Sequence, residues 1–201
     1  ILFSLSIIIL ICLPLKKKYY LFIENTRDID LSNIKLSNKF IIIYRNKNKI
    51  ENFDKLLKFR RNCKSKRIDF FIANNIKLLT DLHADGLYIS AYNKDLNLTK
   101  FRKKKFKIIG SAHNIKEINI KNLQGCTNII FSRLFETSYA FKKGFLGIIR
   151  FNLLTKARNE NFLPLGGIKL SNLNKLKIIN CRSFALLSEV KKKPAVISRL
   201  F

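Results

Sequence analysis

The stretch Lys107-Ile108-Ile109-Gly110-Ser111-Ala112-His113-Asn114-Ile115-Lys116-Glu117-Ile118-Asn119-Ile120-Lys121-Asn122-Leu123 changes its period halfway along. Lys107–Gly110 is a short apolar run suited to a strand buried on both faces, and Ile115–Leu123 carries its apolar residues at helical spacing. A few residues further on, Asn128–Phe131 starts another short apolar run. The unit is therefore strand, polar loop, helix, strand.

Working outward, the same kind of run recurs at Tyr19–Ile23, Phe40–Tyr44, Asp69–Ala73, Gly86–Ile89, Phe162–Leu165 and Ser183–Leu187, with Asn52–Lys66 another helical segment between two of them. Eight runs separated by polar or helical stretches predict an α/β fold, a (β/α)8 barrel of the TIM type in one domain. An open doubly wound sheet is the alternative, but no G-x-G-x-x-G follows the first run.

The 201 residues, 47% hydrophobic, suffice for one well-packed core. Lys and Arg total 40 against 13 Asp and Glu, a net charge of +27, which raises the possibility of a nucleic-acid or membrane-surface partner. Ile, Lys and Asn dominate the composition, as codon bias alone would produce, and the lysines are spread along the chain. No stacking-aromatic motif accompanies them, so a nucleic-acid-binding role ranks last.

Residues 1–18 read as an apolar leader and 19–201 as the barrel. Ile1–Leu15, broken by Ser4, Ser6 and Pro14, is short for a membrane span, and Lys16, Lys17 and Lys18 follow it where a signal peptide carries its charge first. An anchor and an extension outside the fold both stay open. Cys12, Cys63, Cys126 and Cys181 are widely spaced and form no zinc pattern, so they read as reduced packing residues in a cytoplasmic protein.

In a parallel barrel, chemistry sits on the loops that follow the strands. Arg45 and Lys47 follow the second run, Asn74 and Asn75 the third, Ser90 and Asn93 the fourth, and Ser111 and His113 the fifth. Ser132, Arg133 and Thr137 follow the sixth, Gly166 and Gly167 the seventh, and Ser188 the eighth. Gly166-Gly167 admits an anion to backbone N–H groups, and with Leu187 and Ser188 it stands where such barrels bind phosphate; a simple turn is the plainer reading. Arg45-Asn46-Lys47 suits a diphosphate or a carboxylate, with a solvated charge pair as the alternative. Of the two histidines, His113 sits where a barrel places proton transfer, unless it only caps a helix. His83 falls in a predicted helix and reads as structural or exposed.

Four stretches resemble the thiamine phosphate synthase/TenI family in order and spacing. They are Ala84-Asp85-Gly86-Leu87-Tyr88-Ile89, like A-D-G-V-H-L; Gly110-Ser111-Ala112-His113-Asn114, like G-x-S-x-H; Phe135-Glu136-Thr137, like F-x-T; and Leu165-Gly166-Gly167-Ile168, like I-G-G-I. The resemblance implies a barrel that holds a thiazole phosphate through Gly166, Gly167, Leu187 and Ser188, with Thr137 nearby. It also implies a hydroxymethylpyrimidine diphosphate as second substrate, with Arg45 and Lys47 matching R-x-K and Ser111 matching a diphosphate-binding serine. The two family aspartates that hold Mg2+ align with Asn74 and Asn93, which weakens a hard-cation site, and Asp95 would replace one carboxylate only by a shift of its loop. Ile43 replaces the glutamine before R-x-K, and Ala140 the lysine of the synthase loop, leaving Lys142 or Lys143 as substitutes.

TenI-type members lack the same aspartates, and some isomerise a thiazole carboxylate phosphate through the histidine that aligns with His113. The resemblance therefore implies a coupling transferase of thiamine biosynthesis acting on small molecules, with no nucleic acid or membrane as partner. A His113 tautomerase or a phosphate-binding barrel without chemistry is the alternative. A homo-oligomer stays open.

Overall fold

The computed structural model describes residues 18–34, 37–46, 51–98, 106–137, 144–181 and 183–187. The leader, Lys47, Ala140, Lys142, Lys143 and Ser188 lie outside these, except that β1 already begins at Lys18. The strands are β1 Lys18–Ile23, β2 Phe40–Tyr44, β3 Asp69–Ala73, β4 Gly86–Ile89, β5 Lys107–Ala112, β6 Asn128–Ser132, β7 Asn161–Leu165 and β8 Ser183–Leu186. The α-helices are α1 Phe53–Ser65, α2 Ile76–Asp81, α3 Ile115–Leu123 and α4 Gly147–Lys156. Among the described residues, short 3-10 turns rather than α-helices link β1 to β2, and the 3-10 segment Leu170–Ile178 links β7 to β8.

Every ladder is parallel, in the order β7-β6-β5-β4-β3-β2-β1-β8. β7 and β8 lie against each other without a ladder, so the eight strands form a nearly closed barrel. Two apolar layers follow from the alternation of side chains along each strand. Tyr20, Phe22, Ile41, Ile43, Phe71, Tyr88, Ile109, Ile130, Leu163 and Ala185 form one buried cluster drawn from all eight strands and from no helix, which makes it the barrel interior. The intervening residues, such as Leu21, Ile42, Phe70, Leu87 and Phe184, pack outward with Leu56, Phe59, Leu79, Ile118 and Phe151 of the helices. The strands are thus apolar on both faces, which explains their unbroken hydrophobic runs. Inside, large and small residues complement each other: Tyr88 meets Phe22 edge-on at 5.2 Å, whereas β8 contributes only Ala185.

Asparagine starts three of the helices: Asn52, Asn75 and Asn114 each accept a backbone N–H of the first turn. α1 turns Leu56, Phe59, Arg60 and Cys63 inward at helical spacing. α2 ends at Asp81, so His83 lies beyond it rather than within a helix, exposed and with φ 47°. Its carbonyl accepts from Arg60, whose Nη2 also pairs with Asp85 Oδ1 at 2.8 Å. Asp85 Oδ2 accepts the Phe70 N–H at 2.7 Å, pinning the start of β4 to β3.

The neighbouring Gly86 sits between the Phe71 ring and the Lys107 carbonyl, and a methyl group there would overlap both. Gly86→Ala should therefore destabilise the barrel by about 1–3 kcal/mol through overpacking. Thermal unfolding, read as a drop of several degrees in Tm, checks this.

Candidate active site

The carboxyl ends of the strands open into a cavity of about 970 Å3. Arg45 reaches it from β2, His113 from β5, and Ser132, Arg133 and Thr137 from β6. Gly166 and Gly167 after β7 and Leu187 after β8 complete the lining on the far side. The structure thus brings Arg45, His113, Thr137, Gly166, Gly167 and Leu187 to one mouth. Arg45 and Arg133 are charged, and no Asp or Glu lines the cavity among the described residues.

The glycine pair is demanded first by packing. Gly166 and Gly167 have φ of +100° and +66°, a region that side chains other than glycine rarely adopt. A Cβ at Gly167 would run into the backbone of Phe135 and Glu136, and one at Gly166 would stand 3.1 Å from the Arg133 stem. Leu134 and Phe135 donate their N–H groups to the carbonyls of Leu165 and Gly166, zipping the β6 loop onto the end of β7. The N–H groups of Gly166 and Gly167 themselves donate to no described residue, so the turn leaves two donors beside the cavity.

His113 is exposed immediately before α3. Helix capping falls to its neighbour: Asn114 accepts the Glu117 N–H, while Glu117 reaches back to the His113 N–H at 2.7 Å. The imidazole is oriented by Ser132, whose Oγ lies 2.8 Å from Nδ1. Nε2 has no partner among the described residues, so it is the nitrogen available to a ligand.

Ser111 is placed differently from the sequence reading. β5 runs on to Ala112, so Ser111 belongs to the strand and not to the loop after it, is buried, and does not line the cavity. The Tyr88 hydroxyl donates to Ser111 Oγ at 2.8 Å. Burial pushes the Tyr88 phenol above its ordinary range, against the opposing pull of the Ser111 hydrogen bond and the Arg45 charge.

Asn74 and Asn93 also lie outside the lining. Asn74 Oδ1 accepts from the Ser90 N–H at 3.0 Å and from Asn93 Nδ2 at 3.3 Å, and it bonds the Ser90 hydroxyl. Asn93 Oδ1 accepts the Asp95 N–H. Beneath them the fully buried Lys121 donates to the Asn93 carbonyl at 2.6 Å, and Gln124 donates to the same oxygen and to that of Asp95. Burial pushes the Lys121 amine below its ordinary range. Mg2+ takes hard oxygen ligands and favours carboxylates over neutral amides. Both amide oxygens are already bonded, and no cluster of His, Cys, Asp or Glu suited to a metal occurs among the described residues. This donor set does not fit Mg2+.

Sequence reasoning put Arg133 in the loop after the sixth run but gave it no role, and it did not single out Lys121 at all. Arg133 stood in a polar loop like many others, and a lone lysine in so basic a chain carries no signal.

These features define a parallel α/β barrel whose carboxyl mouth holds a ligand-sized cavity lined, among the described residues, by no acid. The chain belongs to the thiamine monophosphate synthase family (TMP-TENI), which residues 31–190 match. A thiamine-phosphate synthase of Prochlorococcus marinus (strain AS9601) is 30% identical over 70% of this chain, a match that spans only 40% of that relative's length. The thiamine-phosphate synthase of Pelagibacter ubique is 29% identical over 79% of this chain and 78% of its own. Among solved structures, thiamine phosphate pyrophosphorylase from Pyrococcus furiosus superposes with a TM-score of 0.72 at 16% identity, covering 92% of this chain and 94% of that one, a likeness of fold. No described helix is long and apolar enough to cross a membrane.

Restoring both carboxylates tests the cation reading. The double variant Asn74→Asp/Asn93→Asp should bind Mn2+, a spin-active stand-in for Mg2+, at least about tenfold more tightly than the wild type. Titration followed by electron paramagnetic resonance reads the difference.

Proposed function

We propose that this chain is a transferase of thiamine phosphate synthase type, which binds a thiazole phosphate and couples it to a hydroxymethylpyrimidine diphosphate to give thiamine phosphate. The thiazole nitrogen attacks the pyrimidine's methylene carbon, a C–N bond forms, the C–O bond to the diphosphate breaks, and diphosphate departs with the electron pair. The lining of the cavity carries this reading: Arg45 on one side, the Gly166–Gly167 donors and Thr137 on the other, and no carboxylate among the described residues to repel two anionic substrates. Such a reaction asks the protein to hold two reactants in line and to stabilise charge on the leaving group. Arg45 is suited to the second task, because a guanidinium makes charge-assisted bonds to diphosphate oxygens.

The His113–Ser132 pair favours a second reading, proton transfer on a thiazole carboxylate phosphate. Ser132 fixes the imidazole through Nδ1 and leaves Nε2 to exchange a proton with a ligand in the cavity. Assaying the purified protein with each substrate set, with and without Mg2+, separates the two reactions. Binding of thiazole phosphate with neither product formed would instead mark a barrel that binds without chemistry.

In the coupling reaction Arg45→Ala should lower kcat/KM by roughly tenfold to a hundredfold, the usual worth of a hydrogen bond to a charged group, and added Mg2+ should not restore it. Steady-state kinetics with varied pyrimidine diphosphate measure this. If proton transfer is the activity, His113→Gln should cost about a hundredfold or more in kcat while thiazole-phosphate affinity stays nearly constant. Single-turnover rates beside calorimetric affinities would show that split.

A further inference from the structure

Arg133 lies in the wall of the cavity and touches three of its segments. Nη1 donates to Thr137 Oγ1 at 2.8 Å, Nη2 donates to the Gly144 carbonyl at 2.7 Å, and the stem packs where Gly166 has no side chain. A guanidinium, a hydroxyl and the two N–H groups of the glycine turn therefore share one corner of a cavity that no acid lines among the described residues. That is a donor set for a phosphate, whose oxygens only accept when fully ionised. Arg45, the other charged group of the lining, belongs to the end of β2. In the strand order β7-β6-β5-β4-β3-β2-β1-β8, with β8 against β7, β2 and β6 are four steps apart in either direction, so the two arginines mark opposite sides of the mouth.

We propose that Arg133 is a ligand-binding residue, the cation that holds the phosphate monoester against the glycine turn, while Arg45 serves the diphosphate on the opposite side. The inference rests on the coupling reading for the identity of the two anions, and it adds a division of labour between the two guanidiniums. The bonds to Thr137 and Gly144 orient the fork, so a phosphate meets a cation already in place and less side-chain freedom is lost on binding. The Thr137 hydroxyl, held by the same guanidinium, is set beside the same phosphate.

Calorimetry on the full chain tests this with three probes: the thiazole phosphate, the same thiazole as its unphosphorylated alcohol, and inorganic pyrophosphate. The wild type should bind the ester more tightly than the alcohol, and absence of that preference would overturn the coupling reading and this inference together. With the preference present, Arg133→Gln should weaken the ester about tenfold to a hundredfold, as expected for a lost bond to a charged group, and leave the alcohol within about twofold. Arg45→Gln should show the reverse emphasis, weakening pyrophosphate more than the ester. Equal losses for ester and alcohol, or none for the ester, would reduce Arg133 to a strut for the loop and overturn the proposal. Arg133→Lys keeps the charge without the fork, and it covers the case in which the glutamine variant fails to fold. It should retain most of the ester's advantage if charge binds the phosphate, and loss of the entire advantage would count against the proposal.

Discussion

The structure depends on strands that must be apolar on both faces. Each strand divides its side chains between a barrel interior and a shell under the helices, so a one-residue slip in any ladder would exchange the two sets. The interior cannot accept that exchange. It is filled by residues as large as Tyr20, Phe22, Phe71 and Tyr88, balanced by Ala185, and packing at that density tolerates little change in volume. Register, closure and strand order therefore reinforce one another, and the positions of the mouth residues follow from them.

Because the strands are fixed, short polar extensions at their carboxyl ends become a site. Arg45, His113, Ser132 and Gly166 come from strands far apart in the chain, yet each lies within two residues of a strand end, so none is carried on a long lever. The loops are tied to one another as well as to the strands. The β6 loop hydrogen-bonds along the end of β7, Glu117 and Ser132 hold His113 from two sides, and Arg133 bridges Thr137 to Gly144. Such cross-ties reduce the freedom a ligand would otherwise have to remove on binding.

The β3–β4 side of the mouth has a different character. Asn74, Ser90, Asn93, Lys121 and Gln124 form a polar network in which amide and carbonyl oxygens are bonded within the protein. A buried lysine without a carboxylate is costly unless its N–H groups find acceptors, and the Asn93 carbonyl and Gln124 side chain supply them. The network gives that loop a fixed shape at a place where neutral amides stand in positions that resemble metal-binding aspartates. The charged chemistry of the mouth is concentrated on the β2 and β6 sides instead.

Local pattern was enough for the strands and for two of the helices. The runs Phe40–Tyr44 and Asp69–Ala73 have their strand bounds as read, and α3 spans Ile115–Leu123 as its spacing predicted, because burial on both faces leaves its mark in consecutive apolar residues. The same pattern located the mouth, since residues just past a parallel strand have one place to go. It misplaced Ser111, because β5 carries a serine and an alanine inside the barrel wall and neither reads as strand core. His83 fell outside its helix for a related reason, as α2 closes with a left-handed residue that composition does not mark. The sequence by itself thus determined the strands, their parallel order and the polar ring of the mouth, all consequences of side-chain period. Only the tertiary structure decided that Asn74 bonds Asn93, that Lys121 lies buried beneath them and that Arg133 faces Arg45 across the barrel. Those facts depend on which distant residues closure brings within hydrogen-bonding distance, and no local period encodes that.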